Sequence, residues 1–135
     1  GQDAPCVVEV GSLLCDLAHD GGAAELTLPL PTGSGLLLAG DLDGDGQGEL
    51  CLHRAGEFAC DIDRDGSVDL TIAFGGTSEQ VALADLDGNG TDAPCALLTD
   101  RLACDTAHDG GNGEFSLPMS LKSGDLLILA NLDGL

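Results

Sequence analysis

The chain has 135 residues and a formal net charge of −20, with 24 acidic residues against four basic ones. That balance repels nucleic acid and anionic membrane surfaces and suits cations or basic partners. No apolar run reaches the roughly 18 residues of a membrane-spanning helix, and no initiator Met or basic leader region marks a signal peptide, as expected of a processed product or an excised segment.

In chain order the sequence reads as three similar copies, residues 1–45, 46–89 and 90–135. The first runs "GQDAPCVVEVGSLLCDLAHDGG" and closes on "LLLAGDLDGD". Cys6 and Cys15 are centred on Val10-Gly11, a hairpin tip. After Cys15 comes an acidic loop, "DLAHDGGAAE", with Asp16, Asp20 and Glu25 as candidate ligands and Ala18 in the third place.

The second copy is the clearest. Its opening loop "DLDGDGQGE" carries Asp41, Asp43, Asp45 and Glu49. Strands are predicted at Glu49–His53 and Glu57–Ile62; pairing Cys51 with Cys60 sets Arg54 opposite Glu57 and leaves Ala55-Gly56 as a two-residue turn. The loop "DIDRDGSVD" follows, with Asp61, Asp63, Asp65 and Asp69. A third and a fourth strand are predicted at Val68–Phe74 and Ser78–Ala84. The third copy opens on "DLDGNGTDA", with Asp85, Asp87 and Asn89, and with Asp92 one residue ahead of the closing place. Its hairpin from Cys95 to Cys104 turns at Thr99-Asp100, and "DTAHDGGNGE" then offers Asp105, Asp109 and Glu114. The copy ends on "ANLDGL", where Asn131 and Asp133 form half of another such loop.

These elements predict an all-β protein of tandem β-hairpin repeats, about twelve strands, arranged as an open solenoid-like or propeller-blade-like array. The three C-x8-C spacings predict local disulfides, since zinc sites use shorter Cys pairs. Each would stabilise the fold by about 2–3 kcal/mol through loop closure and would place the chain in an oxidising, extracellular or cell-surface setting.

The two loops of the second copy carry carboxylates at positions 1, 3, 5 and 9, with glycine at position 6 for a sharp turn. Alternate carboxylates converge when such a loop curls around one point, which suits a hard cation taking 6–8 oxygens; calcium is the predicted cofactor. Of the 24 acidic residues only Glu9, Glu57, Glu79, Asp100 and Asp125 lie outside these loops and their partial copies. A merely acidic surface would scatter them. His19 and His108 read as exposed loop residues, because imidazole has little use in a hard oxygen site. An EF-hand is excluded by Leu52, Ile72 and Ala96 in place of its closing glutamate.

"DLDGDGQGEL", "DIDRDGSVDL" and "DLDGNGTDA" resemble the calcium loops of FG-GAP/VCBS repeats, as in integrin α-subunit propellers. The resemblance implies calcium held between strands of extracellular adhesion or binding modules. The chain departs from it in its short repeats, its C-x8-C pairs and its three copies, where a propeller closes with four to eight blades. The functional expectation is therefore an extracellular, calcium-stabilised, disulfide-stapled fibre or stalk, with an adhesin or lectin-like propeller part as the alternative. Joining "NLDGL" to "GQDAPC" regenerates an acidic loop from Asn131, Asp133 and Asp3, so the expected partner is the chain itself, head to tail, alongside a cell-surface or matrix partner. Neither a nucleophile elbow nor a zinc motif is present, so no enzyme is expected.

Overall fold

The computed structural model describes residues 3–78, 80–119, 122 and 124–129. Among them it is all-β and has no helix. Eleven strands follow in order: β1 (Cys6–Glu9), β2 (Ser12–Cys15), β3 (Leu26–Pro29), β4 (Leu36–Gly40), β5 (Glu49–Arg54), β6 (Glu57–Asp61), β7 (Leu70–Ala73), β8 (Val81–Ala84), β9 (Ala93–Leu97), β10 (Arg101–Cys104) and β11 (Phe115–Pro118). They form three antiparallel sheets, β1-β2-β3, β4-β5-β6-β7 and β8-β9-β10-β11, and no barrel closes.

Each sheet is built on one cysteine hairpin. The registers pair Cys6 with Cys15, Cys51 with Cys60 and Cys95 with Cys104. All three pairs are disulfides, with Cα atoms 4.1, 4.0 and 4.1 Å apart. Such short separations belong to the close, non-hydrogen-bonded pairs of an antiparallel ladder. The central turn has both residues left-handed, Ala55 at φ 48° and Gly56 at φ 83°. That is the twist-matched two-residue turn expected from the pairing of Arg54 with Glu57.

The strand expected to finish each copy begins the next sheet instead. β8 pairs with β9, and β4 pairs with β5. The sheets therefore straddle the sequence copies. The apolar run before each "DLDG" loop is covered on one side by the hairpin that follows it, and β4 and β8 lie against one another.

Three clusters make the core. Leu13 and Cys15 of the first sheet meet Leu50 and Leu37 of the second. Phe58, Ile72, Cys51 and Cys60 of the second meet Ala96 and Ala103 of the third. Ala93, Cys95, Leu102 and Cys104 of the third pack with Phe115, Met119, Leu127 and Leu129. Each sheet thus buries a face against its neighbour, the logic of a stacked repeat. Small side chains let the sheets approach closely: a Cβ on Gly75 would stand 3.0 Å from that of Ala96. His53 is enclosed at the same boundary, its ring 4.8 Å from that of Phe58, with no hydrogen-bond partner for Nε2 among the described residues. Burial holds its pKa below the usual value.

Candidate metal centres

In an up-and-down meander the β4–β5 and β6–β7 connections fall at one end of the sheet, and the tight β5–β6 turn falls at the other. The acidic loops are those connections, so they gather along one rim of each sheet. The disulfides lie just beneath them: Cys15, Cys60 and Cys104 immediately precede Asp16, Asp61 and Asp105.

Five loops share one frame. The aspartate at position 1 accepts the backbone N–H of the position-6 glycine in every case. The distances are 2.8 Å for Asp16–Gly21, 2.9 Å for Asp41–Gly46, 2.8 Å for Asp61–Gly66, 2.9 Å for Asp85–Gly90 and 2.7 Å for Asp105–Gly110. The residue at position 5 accepts the N–H of position 7, again in all five: Asp20, Asp45, Asp65, Asn89 and Asp109 receive Gly22, Gln47, Ser67, Thr91 and Gly111. Short polar side chains favour such local bonds, which fold the loop without help from a core.

Position 4 is a second left-handed site that the sequence reading missed. It is Gly44 (φ 80°) and Gly88 (φ 76°), but also His19 (φ 56°), Arg64 (φ 62°) and His108 (φ 56°). The recurrent glycine in the two "DLDG" loops was the available signal. The non-glycine residues reach backward to the preceding segment. His19 Nε2 lies 3.0 Å from the Asp3 carbonyl and His108 Nε2 3.1 Å from that of Asp92, each donating. Arg64 donates to Gln47 at 2.9 Å and stands 3.9 Å from Asp45. These side chains tie one loop to the segment before it.

The closing carboxylates clamp their own loops. Glu25 accepts from Leu17 and Ala18, Glu49 from Leu42, Asp69 from Ile62 and Asp63, and Glu114 from Ala107. One oxygen is engaged in each clamp, so the other can turn toward an ion.

Four sets bring one oxygen per residue within 4.8 Å of each other: Asp16, Asp20 and Glu25; Asp41, Asp43 and Asp45; Asp61, Asp63 and Asp69; and Asp105, Asp109 and Glu114. Each could hold a metal ion. The two loops with alanine at position 3 are assembled as well as the others, since the glutamate of the longer loop completes the set. Asp65 and Glu49 fall outside these sets; Asp65 faces Ser67, and Glu49 is buried beneath its loop. Asp85, Asp87 and Asn89 share the common frame, with Asn89 bonded to both aspartates. Asp92 works across loops: its carboxylate accepts the N–H of Asp41 at 2.8 Å, while its own N–H donates to the Asp41 carbonyl at 2.6 Å. It thus joins the 85–93 loop to the 41–49 loop. Asn131 and Asp133 lie outside the described residues.

The electrostatics split by hydrogen bonding. Burial raises the pKa of Glu49, and the charges of Asp43, Asp41 and Asp45 add to it. Desolvation, then Asp65 and Asp69, raises Asp63, and burial, then Asp41 and Asp85, raises Asp92. Backbone donors win elsewhere. Gly21 lowers Asp16, Ser67 lowers Asp65 and Ala107 lowers Glu114, while the burial of Asp85 is outweighed by Gly90, Gly88 and Asn89.

A group whose folded pKa is raised adds stability only at low pH, and that contribution is lost as pH rises through the folded value. Glu49→Gln should therefore raise the stability of the metal-free protein at pH 7, by about 1 kcal/mol, a usual size for one buried polar change. The gain should vanish below pH 4.5, the ordinary value from which Glu49 is raised, where wild-type Glu49 is also neutral. Thermal melts in chelator across pH test this; a variant less stable than wild type at pH 7 would refute it.

Comparison with protein-family models, with curated proteins and with solved structures finds no match to this chain.

Proposed function

We propose that the chain is an extracellular structural repeat array whose loops bind calcium and whose hairpins are stapled by disulfides, forming a fibre or stalk. The observation that carries this reading is the shared frame of five loops, which aims carboxylates inward along one rim. Two oxygens on opposite sides of one calcium ion stand roughly 4.6–5.2 Å apart, twice the usual Ca–O distance, and the four carboxylate sets span up to 4.8 Å. The sets are all oxygen, which suits a hard cation rather than zinc. The resemblance to FG-GAP/VCBS loops supports the same ion. Within the described loops, calcium would be held by the sets at Asp16, Asp41, Asp61 and Asp105, and by Asp85, Asp87 and Asn89.

No catalytic role is assigned, because these carboxylates are engaged in folding the loops. The adhesion or lectin-like alternative draws on a cleft of about 520 Å³ between the second and third sheets, lined by Gly76, Ser78, Leu98, Thr99, Arg101 and Asn112 among others. Its aromatic residue, Phe74, is 5% exposed, which leaves little platform for stacking a sugar.

Calorimetric titration of the oxidised protein with calcium is the direct test. Several ions per chain should bind, and magnesium, which demands a tighter octahedral shell, should compete poorly. No heat and no calcium uptake in equilibrium dialysis would overturn the reading.

A further inference from the structure

The first sheet has three strands where its two counterparts have four. In the second and third sheets the cysteine strand is covered on its outer edge, β5 by β4 and β9 by β8. β1 has β2 on one side and no ladder neighbour on the other among the described residues. Burial follows that difference. Cys51 and Cys95 are 0% exposed, whereas every residue of β1 is exposed, with Val7 at 64% and Val8 at 59%. An apolar, unpaired edge is a template for another strand.

A matching strand exists. Asp125–Leu129, "DLLIL", is the third occurrence of the apolar run that forms β4 ("LLLAG") and β8 ("VALA"). It lies beside the start of β8: Leu127 N–H donates to Gln80 Oε1 at 2.9 Å and Gln80 Nε2 to the Asp125 carbonyl at 3.0 Å. Leu127 and Leu129 pack on the third sheet, while Leu126 and Ile128 are 73% and 74% exposed. This run makes no ladder in the structure, although both of its counterparts cover a cysteine strand.

We propose that Asp125–Leu129 of one copy adds to β1 of a second copy as its missing fourth strand, by antiparallel β-augmentation. The register carries over from the second sheet, where Leu36, Leu37 and Leu38 face His53, Leu52 and Cys51. Leu126 then faces Val8, Leu127 faces Val7 and Ile128 faces Cys6. This rests on the structural-array reading and supplies its repeating contact. Two units of charge −20 repel, so ions bound at the rims favour assembly.

The test is sedimentation velocity of the 135-residue oxidised chain, in calcium, over a concentration series. Wild type should give a ladder of elongated species. Val8→Lys alone and Leu126→Asp alone each place a charge in the joint and should leave only monomer; both sites are exposed, so disulfide mapping and circular dichroism should be unchanged. An equimolar mixture of the two variants should also rebuild a ladder, of alternating chains, because the Val8→Lys edge takes the Leu126→Asp strand and the unaltered edge of the second variant takes the unaltered strand of the first. The double variant should recover the ladder. A wild type that stays monomeric, single variants that assemble like wild type, or a double variant that fails to recover would each overturn the register-specific joint. Calcium uptake measured on the monomeric Val8→Lys variant separates the two readings: uptake without any wild-type assembly sinks the joint alone, and assembly without uptake sinks the calcium reading alone.

Discussion

Excess chelator should abolish cooperative melting of the oxidised protein near room temperature or lower its midpoint by tens of degrees. An ion at 100 times its dissociation constant adds about 2.7 kcal/mol per site. Four or five such sites would contribute on the order of 10 kcal/mol, comparable with the whole stability of a typical domain. The apolar core has little to offer in exchange, since much of it is alanine and cysteine. Removing the ions also leaves the carboxylates of each set within 4.8 Å of one another. Asp61→Ala should be the most damaging single change in a loop. Asp61 is 0% exposed, accepts the N–H groups of Asp65 and Gly66 and belongs to a converging set. Its cost should exceed that of Asp100→Ala, whose side chain is 78% exposed, and should be larger in calcium than in chelator. An unchanged melting curve in chelator would remove the structural role of the metal.

Removing the central disulfide by Cys51→Ala with Cys60→Ala should cost about 4–5 kcal/mol, against about 2–3 kcal/mol for Cys6→Ala with Cys15→Ala. The loops closed are equal, each with a sequence separation of 9, so the entropic part is shared. The difference lies in packing. Cys51 and Cys60 are fully buried against Phe58, Ile72 and Ala96, and truncation there leaves a void. Cys6 is exposed, so little packing is lost with it. The same contrast orders reduction. A limiting reductant should open Cys6–Cys15 first, as mass mapping after alkylation would reveal; equal rates for all three bonds would contradict the burial pattern.

The hairpins were legible because their signals are local. A C-x8-C spacing has one midpoint, and Ala55-Gly56 occupies it with the required turn. The frame of the acidic loops was legible because position 1 and the position-6 glycine answer each other within a few residues. What escaped reading depends on contacts distant in sequence. A continuous apolar run identifies Val81–Ala84 as a strand but not its partner, which is β9 and not β7. Asp92 looked like a misplaced closing ligand, yet its partner is Asp41, 51 positions away. Spacing put Glu49 at the closing position of its loop but did not show its burial or its bond to Leu42.

Every disulfide stays within one hairpin, and none crosses between sheets. That arrangement has a mechanical meaning. Under tension, force entering at Cys51 passes through sulfur to Cys60 and bypasses the hairpin tip between them. A reduced hairpin could lengthen by nine residues, about 30 Å of extended chain, whereas the oxidised one holds its ends near 4.0 Å. The acidic loops on either side, at 41–49 and 61–69, remain in series with the load. If the proposed array binds ions as proposed, it should under tension yield at its acidic loops before its hairpins, with extension governed by ion release and recovery by ion rebinding.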